Sequence, residues 1–267
     1  MQKNTSQSRD YTKQLSHSQN FLTRRQLIRK ILSLSSIGKN DTVLEIGAGK
    51  GHLTEALCAV SGLVCSVELD RRLFEHTSAK LSHLTNLKLI HGDFLEMPLP
   101  EKGGYKVFAN IPYFITTQIM EKLTNASNPP SEIWLIMEKG AARRFAGFPR
   151  ETTKSLLLKV NWDLNILYHF RREDFHPMPR VDSVLLHLKR KDTPDLPAGS
   201  LSAFGRFIEH SMKYGVCGRA GLLTRKQADT ALKRAGLPPA CESGITLYIQ
   251  WLCLFRCYQR FHPDRKG

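Results

Sequence analysis

The feature that most constrains this chain is an alternation of two periodicities. Val43-Leu44-Glu45-Ile46, Leu63-Val64-Cys65-Ser66-Val67, Leu87-Lys88-Leu89-Ile90, Tyr105-Lys106-Val107-Phe108-Ala109 and Ile133-Trp134-Leu135-Ile136-Met137 are short apolar, β-branched runs. Helical patterns near Leu53–Val60, Arg71–Leu81 and Thr116–Leu123 separate them, and Ile166–Phe170 and Ser183–Leu188 read as two further strands. Strands alternating with helices predict an α/β fold: a doubly wound, mostly parallel seven-stranded sheet with helices on both faces. Ahead of it, Thr23 is placed to cap a helix that carries Leu27, Ile28, Ile31 and Leu32 on one face.

The texture changes after Leu188. Residues 189–200 are polar and proline-rich, as a linker is, and helical periods near Ser202–Lys213, Lys226–Ala235 and Thr246–Tyr258 follow without strands. Two domains are therefore expected: 1–190, holding the sheet and a basic N-terminal arm, and a small helical, basic domain over 191–267.

Charge is distributed unevenly. Residues 1–40 hold eight Lys and Arg against one acid, residues 201–267 eleven against four, and the region between them is nearly neutral, within a total of +15. Two basic flanks around a neutral middle fit arms that grip a polyanion such as nucleic acid. No run of 18 apolar residues occurs and the first twenty residues are polar, so neither a membrane span nor a secretory signal is expected, and the cytoplasm is the expected location. The six cysteines (Cys58, Cys65, Cys217, Cys241, Cys253, Cys257) form no C-x-x-C pair and read as reduced packing residues, and no metal site is expected.

Chemistry concentrates where strands end. The first strand runs into Gly47-Ala48-Gly49-Lys50-Gly51. Glycines let the backbone turn sharply and approach a ligand, and the following helix N-terminus presents unpaired N–H groups. On its own this pattern also serves ordinary tight turns. Glu68, with Leu69 beyond it, closes the second strand where an acid can accept from ribose hydroxyls; Asp93, followed by Phe94, closes the third where an acid can meet an adenine amine. The third glycine comes one residue too early for a dinucleotide fingerprint. Residues 41–51 instead resemble the first motif of class I S-adenosylmethionine-dependent methyltransferases.

The fourth strand ends in Asn110-Ile111-Pro112-Tyr113. Pro112 stiffens the turn so that the Asn110 carboxamide oxygen and a neighbouring backbone carbonyl can face one way. Two such acceptors suit an exocyclic amine with two N–H donors, and Tyr113 offers a flat face for a base. An adenine amine is a poor nucleophile because its lone pair is delocalised. Two acceptors in a dry pocket favour the pyramidal nitrogen that can attack a sulfonium methyl in line, without a strong base. The target base has to be flipped or already unpaired to enter.

Ser18-Gln19-Asn20-Phe21-Leu22, the glycine motif, Glu68, Asp93, Asn110–Tyr113 and the segment Phe175 to Ser183 resemble, in order and spacing, the ribosomal-RNA adenine N6-dimethyltransferases over about residues 17–190. The resemblance implies S-adenosyl-L-methionine as cofactor. It also implies a cofactor site of Asn20, Leu22, Gly47, Gly49, Glu68, Leu69, Asp93, Phe94 and Asn110, with Asn110, Ile111, Pro112, Tyr113 and Phe175 around the target adenine, Phe175 from the far side. Ile111, the run Leu135–Gly140 and the pair Arg143-Arg144 resemble the Erm branch, which methylates one adenosine of 23S RNA and confers resistance to macrolides, lincosamides and streptogramin B. Phe114 and the Ser16-His17-Ser18 lead-in depart from the family pattern.

RNA contact is expected from Arg24, Arg25, Arg29, Lys30, Lys139, Arg143, Arg144 and C-terminal Lys and Arg, with the protein acting as a monomer. Two alternatives stand beside the Erm reading. A KsgA-like enzyme would modify adjacent adenosines of small-subunit 16S RNA, and a non-catalytic RNA-binding factor on the same fold would survive loss of Asn110.

Overall fold

The computed structural model describes residues 20–239 and 247–262. Cys241, the Ser16–Gln19 part of the N-terminal motif and the ends of both basic flanks lie outside the described residues. The chain divides into two compact units, 1–142 with 164–190, and 143–163 with 191–267. From sequence a single boundary near residue 190 is expected; the 143–163 segment belongs instead with the second unit, because its helix packs into that unit's core.

The first unit is built on the expected sheet. Its strands are β2 (Thr42–Ile46), β3 (Leu63–Glu68), β4 (Leu87–His91), β5 (Lys106–Asn110), β6 (Glu132–Glu138), β7 (Trp162–His169) and β9 (Ser183–Arg190), in the order β4-β3-β2-β5-β6-β9-β7. β2 to β6 pair in parallel, and β9 joins β6 antiparallel through Ile136↔Leu185. A separate two-stranded ribbon pairs β1 (Phe21–Leu22) with β8 (Phe175–His176), Leu22 opposite Phe175.

Helices α1 (Arg25–Leu32), α2 (His52–Val60), α3 (Arg71–Lys80), α4 (Thr116–Thr124) and α5 (Lys139–Phe145) lie between the strands. The apolar stripe of α1 (Leu27, Ile28, Ile31, Leu32) is buried with Leu57, Val64, Phe108 and Trp134 in one core. Thr23 does not cap α1. The cap position is Arg24, without a side-chain cap, and its guanidinium reaches Asp174 at 3.1 Å instead.

The second unit has its own core. α6 (Thr153–Asn161) opens with a reciprocal cap between Thr152 and Ser155 and buries Leu156 and Val160. α7 (Leu201–Tyr214), α8 (Arg225–Arg234) and α9 (Tyr248–Phe261) contribute Phe204, Phe207, Leu232, Trp251, Phe255 and Tyr258. Phe207 meets Phe255 at 5.6 Å and Tyr258 at 5.4 Å, spacings at which aromatic pairs attract.

The expected linker is a fitted segment. β9 continues through Arg190, Lys191 N–H donates to Asn161 O at 2.9 Å, Asp195 accepts from the Tyr248 hydroxyl at 2.7 Å, and Leu196 is buried. Among the described residues no helix is long and apolar enough to cross a membrane.

Candidate active site

An open cavity lies where β2, β3, β4 and β5 end. It gathers Asn20, Leu22, Gly47, Gly49, Glu68, Leu69, Asp93, Phe94, Asn110, Ile111, Pro112 and Tyr113, residues far apart in the sequence. In an open α/β sheet this carboxyl edge is where ligands sit.

The glycine turn forms the floor. Gly49 has φ +55°, and a Cβ there would lie 2.8 Å from the Phe21 ring, so only glycine satisfies both backbone and space. Its N–H donates to Glu68 Oε2 at 2.8 Å, and its carbonyl accepts from Thr77 Oγ1 at 2.7 Å. Glu68 Oε1 accepts from Asp70 N–H at 2.9 Å. Glu68 therefore locks the turn to the end of β3 while its remaining lone pairs stay available to hydroxyl donors. Burial pushes its carboxyl above the ordinary value, against the N–H groups of Gly49 and Asp70.

Beneath the turn, Glu45 is completely buried and accepts from Thr54 Oγ1 at 2.7 Å and Ser66 Oγ at 2.6 Å. Burial raises it to about 7, the two hydroxyls opposing and Glu68 adding to the rise. Asp93 sits in the next loop, its Oδ1 accepting from Leu95 N–H at 2.8 Å, with Phe94 buried beside it.

Asn110 closes β5, and its Nδ2 donates to Asn20 O at 2.7 Å. A carboxamide has one donor end and one acceptor end, so committing the NH₂ to Asn20 leaves Oδ1 as the acceptor, without a partner among the described residues. Tyr113 lines the cavity with its hydroxyl tied to Ser183 Oγ at 2.5 Å. Burial raises its phenol, Ser183 opposing, so it stays protonated and serves as a fixed ring rather than a base.

Phe175 is the site residue placed differently. It does not line the cavity: it is buried against Phe170, ring centroids 5.3 Å apart. Pairing with Leu22 across the β1–β8 ribbon turns the ring into the core, so Phe175 backs the strand that delivers Phe21 and Leu22. Phe114 is exposed and lies outside the lining as well.

The lining residues not assigned to the site from sequence include Phe21, Lys50 and His52. Lys50 Nζ stands 4.9 Å from the Phe21 ring centroid. His52, first residue of α2, has its Nδ1 buried without a partner among the described residues; burial, then Lys80, lowers its pKa. Lys50 lies inside the glycine run and His52 directly follows it.

The basic residues expected at RNA are mixed. Arg25 pairs with Glu55 at 3.7 Å, and Arg24 braces the buried Asp174. Arg29, Lys30 and Arg144 are exposed and Lys139 is half-buried, while Arg143 lies 4.1 Å from the Phe148 ring centroid.

The ribosomal RNA adenine dimethylase family profile matches residues 11–217, which spans the whole cavity. The chain belongs to the ribosomal RNA adenine dimethylase family. An rRNA adenine N-6-methyltransferase of Escherichia coli is 38% identical over 94% of this chain and 98% of its own, and one of Clostridium perfringens is 37% identical over the same shares. The crystal structure of the 23S rRNA methyltransferase ErmE superposes with a TM-score of 0.78 at 26% identity, over 90% of this chain and all of that one. A dimethyladenosine transferase from Plasmodium falciparum, at 19% identity and TM-score 0.68 over 92% and 98%, shares the fold. In this dimethylase family member, the matched residues include all those that line the cavity, Asn110 and Tyr113 among them.

Proposed function

We propose that the protein transfers methyl groups from S-adenosylmethionine to N6 of a specific adenosine in 23S ribosomal RNA, in the cytoplasm and as a monomer, and so confers macrolide, lincosamide and streptogramin B resistance. The observation that carries this reading is the Asn110 carboxamide, held by Asn20 O and with no partner for its oxygen among the described residues, beside the anchored Tyr113 ring.

The cavity fits the cofactor. Glu68 and Asp93 stand at successive strand ends for ribose and adenine, Leu22, Phe94 and Ile111 supply apolar walls, and α2 presents its N-terminus behind the glycine turn. When bound, the cofactor supplies an electrophilic methyl on a sulfonium sulfur. Asn110 Oδ1 and a neighbouring backbone carbonyl accept the two N–H groups of the target amine and localise its lone pair. Tyr113 stacks on the base and keeps it out of its helix. The proton released on alkylation leaves an amine already made acidic, so no strong base is required. Arg29, Lys30, Lys139, Arg143 and Arg144 contribute phosphate contacts, together with Arg24 and Arg25 where their ion pairs yield.

The likeness to ErmE along its full length favours 23S RNA. The test is inducible expression in a macrolide-sensitive bacterium, with labelled methyl groups traced to 23S or 16S RNA. Resistance with label in 23S RNA, both lost in Asn110→Ala, is expected. Label in 16S RNA with unchanged sensitivity would establish the KsgA-like alternative, and a phenotype that survives Asn110→Ala the non-catalytic one.

A further inference from the structure

Lys122 lies on α4, two turns beyond the Asn110–Tyr113 corner, and its charge reaches across to the loop after β4. Its Nζ donates to Leu95 O at 2.7 Å and to Met97 O, and sits 5.1 Å from the Phe94 ring centroid. That loop is otherwise folded on itself: Asp93 Oδ1 accepts from Leu95 N–H, and Asp93 O accepts from the N–H groups of Glu96 and Met97 at 3.1 Å. Among the described residues, the hydrogen bonds that tie positions 94–97 to another element all come from Lys122.

The two ends of this contact belong to different halves of the chemistry. α4 descends from the corner that receives the target base; the loop carries Asp93 and Phe94, which line the adenine end of the cofactor cleft. Burial lowers the pKa of Lys122, opposed by Glu96 and Asp93. An ammonium with three donors, two of them on main-chain carbonyls and its charge over a ring face, is a strong and directional tether.

We propose that Lys122 is a positioning residue that sets the adenine subsite of the cofactor cleft by pinning the Asp93–Met97 loop and the Phe94 ring to α4. It touches neither the methyl group nor the target amine. Its removal loosens the loop and weakens cofactor binding without changing the transfer step. The inference rests on the cofactor reading above.

Calorimetric titration of the full chain with S-adenosylhomocysteine and with 5′-methylthioadenosine tests it, alongside steady-state methyl transfer. In Lys122→Met the Kd for both ligands is expected to rise about tenfold, as for loss of a charge-assisted hydrogen bond. KM for S-adenosylmethionine should rise by the same factor, with kcat at saturating cofactor within about twofold. Lys122→Arg, which keeps a cation over Phe94, should recover most of the loss. Lys122→Gln, with a single amide to offer the carbonyls, should fall between and gives the same reading if the Met variant does not fold. A folded Lys122→Met or Lys122→Gln protein with wild-type Kd, or with reduced kcat at unchanged Kd, overturns the proposal. Failure of the wild-type protein to bind either ligand would instead overturn the cofactor reading.

Discussion

The two edges of the sheet in the first unit use the same residue types to opposite ends. At the edge where the parallel strands begin, charges satisfy one another. Lys106 Nζ donates to Ser36 O at 2.8 Å and Asp41 Oδ2 at 3.0 Å and stands 3.9 Å from Glu132, whose other oxygen meets His187 Nε2 at 2.9 Å. His187 stacks on Trp134 at 4.9 Å, nearly parallel. At the edge where the strands end, Asn110 is fastened by its NH₂, Asp93 by one oxygen on a backbone N–H and Tyr113 by its hydroxyl, while Glu68 is held through both oxygens by the N–H groups of Gly49 and Asp70. Closed pairing yields rigidity; half pairing leaves an oriented, unspent valence facing the cavity.

The comparison breaks most visibly at Asn110. Asn110→Ala removes the oriented acceptor, and single-turnover methyl transfer should fall by about 10³, as for loss of one donor or acceptor to a developing charge. Melting should barely change. The opposite edge should behave inversely. Lys106→Met leaves Asp41 and Glu132 without their cation in a mostly buried setting and should cost about 2 kcal/mol, read by chemical denaturation, with transfer per folded molecule unchanged. Asp41 is pushed up by burial, but Gly38 N–H and Lys106 outweigh that and hold it below the ordinary value. Its stabilisation is therefore present above that ordinary value and lost as pH falls through the lowered one, and Lys106→Met should flatten this acid limb.

The elements that strand and helix periodicity mark, β2 to β6 with α2 to α4, were legible because burial on a parallel sheet imposes the same apolar run wherever it occurs. The strand-end residues Glu68, Asp93 and Asn110 were legible because topology puts every strand terminus at one edge. The β1–β8 ribbon was not, since two-residue strands carry no period, and with it went the true place of Phe175. The 143–163 segment was misassigned because Thr153–Asn161 is amphipathic toward a core that Trp251 and Phe255 complete a hundred residues later. Thr23 failed as a cap for want of a competitor visible in sequence, the distant Asp174 that claims Arg24. Lys50 is silent because a turn tolerates many residues between its glycines, and His52 because many residues can open a helix.

Glu45 sharpens the contrast from inside. It lies under the functional edge yet is closed off like the structural one, with Oε2 accepting two hydrogen bonds and Oε1 without a partner among the described residues. Its folded pKa near 7 exceeds the ordinary 4.5, so the folded chain holds a proton that the unfolded chain sheds. Stability is then full below about pH 4.5 and declines until about pH 7, by on the order of 1–3 kcal/mol. Glu45→Gln, which keeps an acceptor for Thr54 and Ser66 without the charge, should remove that slope in urea denaturation followed from pH 4 to 8. A slope that persists unchanged would place the titrating group elsewhere.

The smallest effect probes how far half pairing matters for an aromatic. Tyr113→Phe deletes the bond to Ser183 while keeping the ring that stacks on the target base. A neutral hydrogen bond contributes about 1 kcal/mol net, so transfer should drop only about two- to fivefold, chiefly as a higher KM for RNA. Tyr113→Ala removes the ring itself and should cost more, because stacking on a base contributes about 1–3 kcal/mol. Were Tyr113→Phe as inactive as Tyr113→Ala, the hydroxyl rather than the ring face would be the working group. The tie to Ser183 would then belong with the closed pairings of the opposite edge.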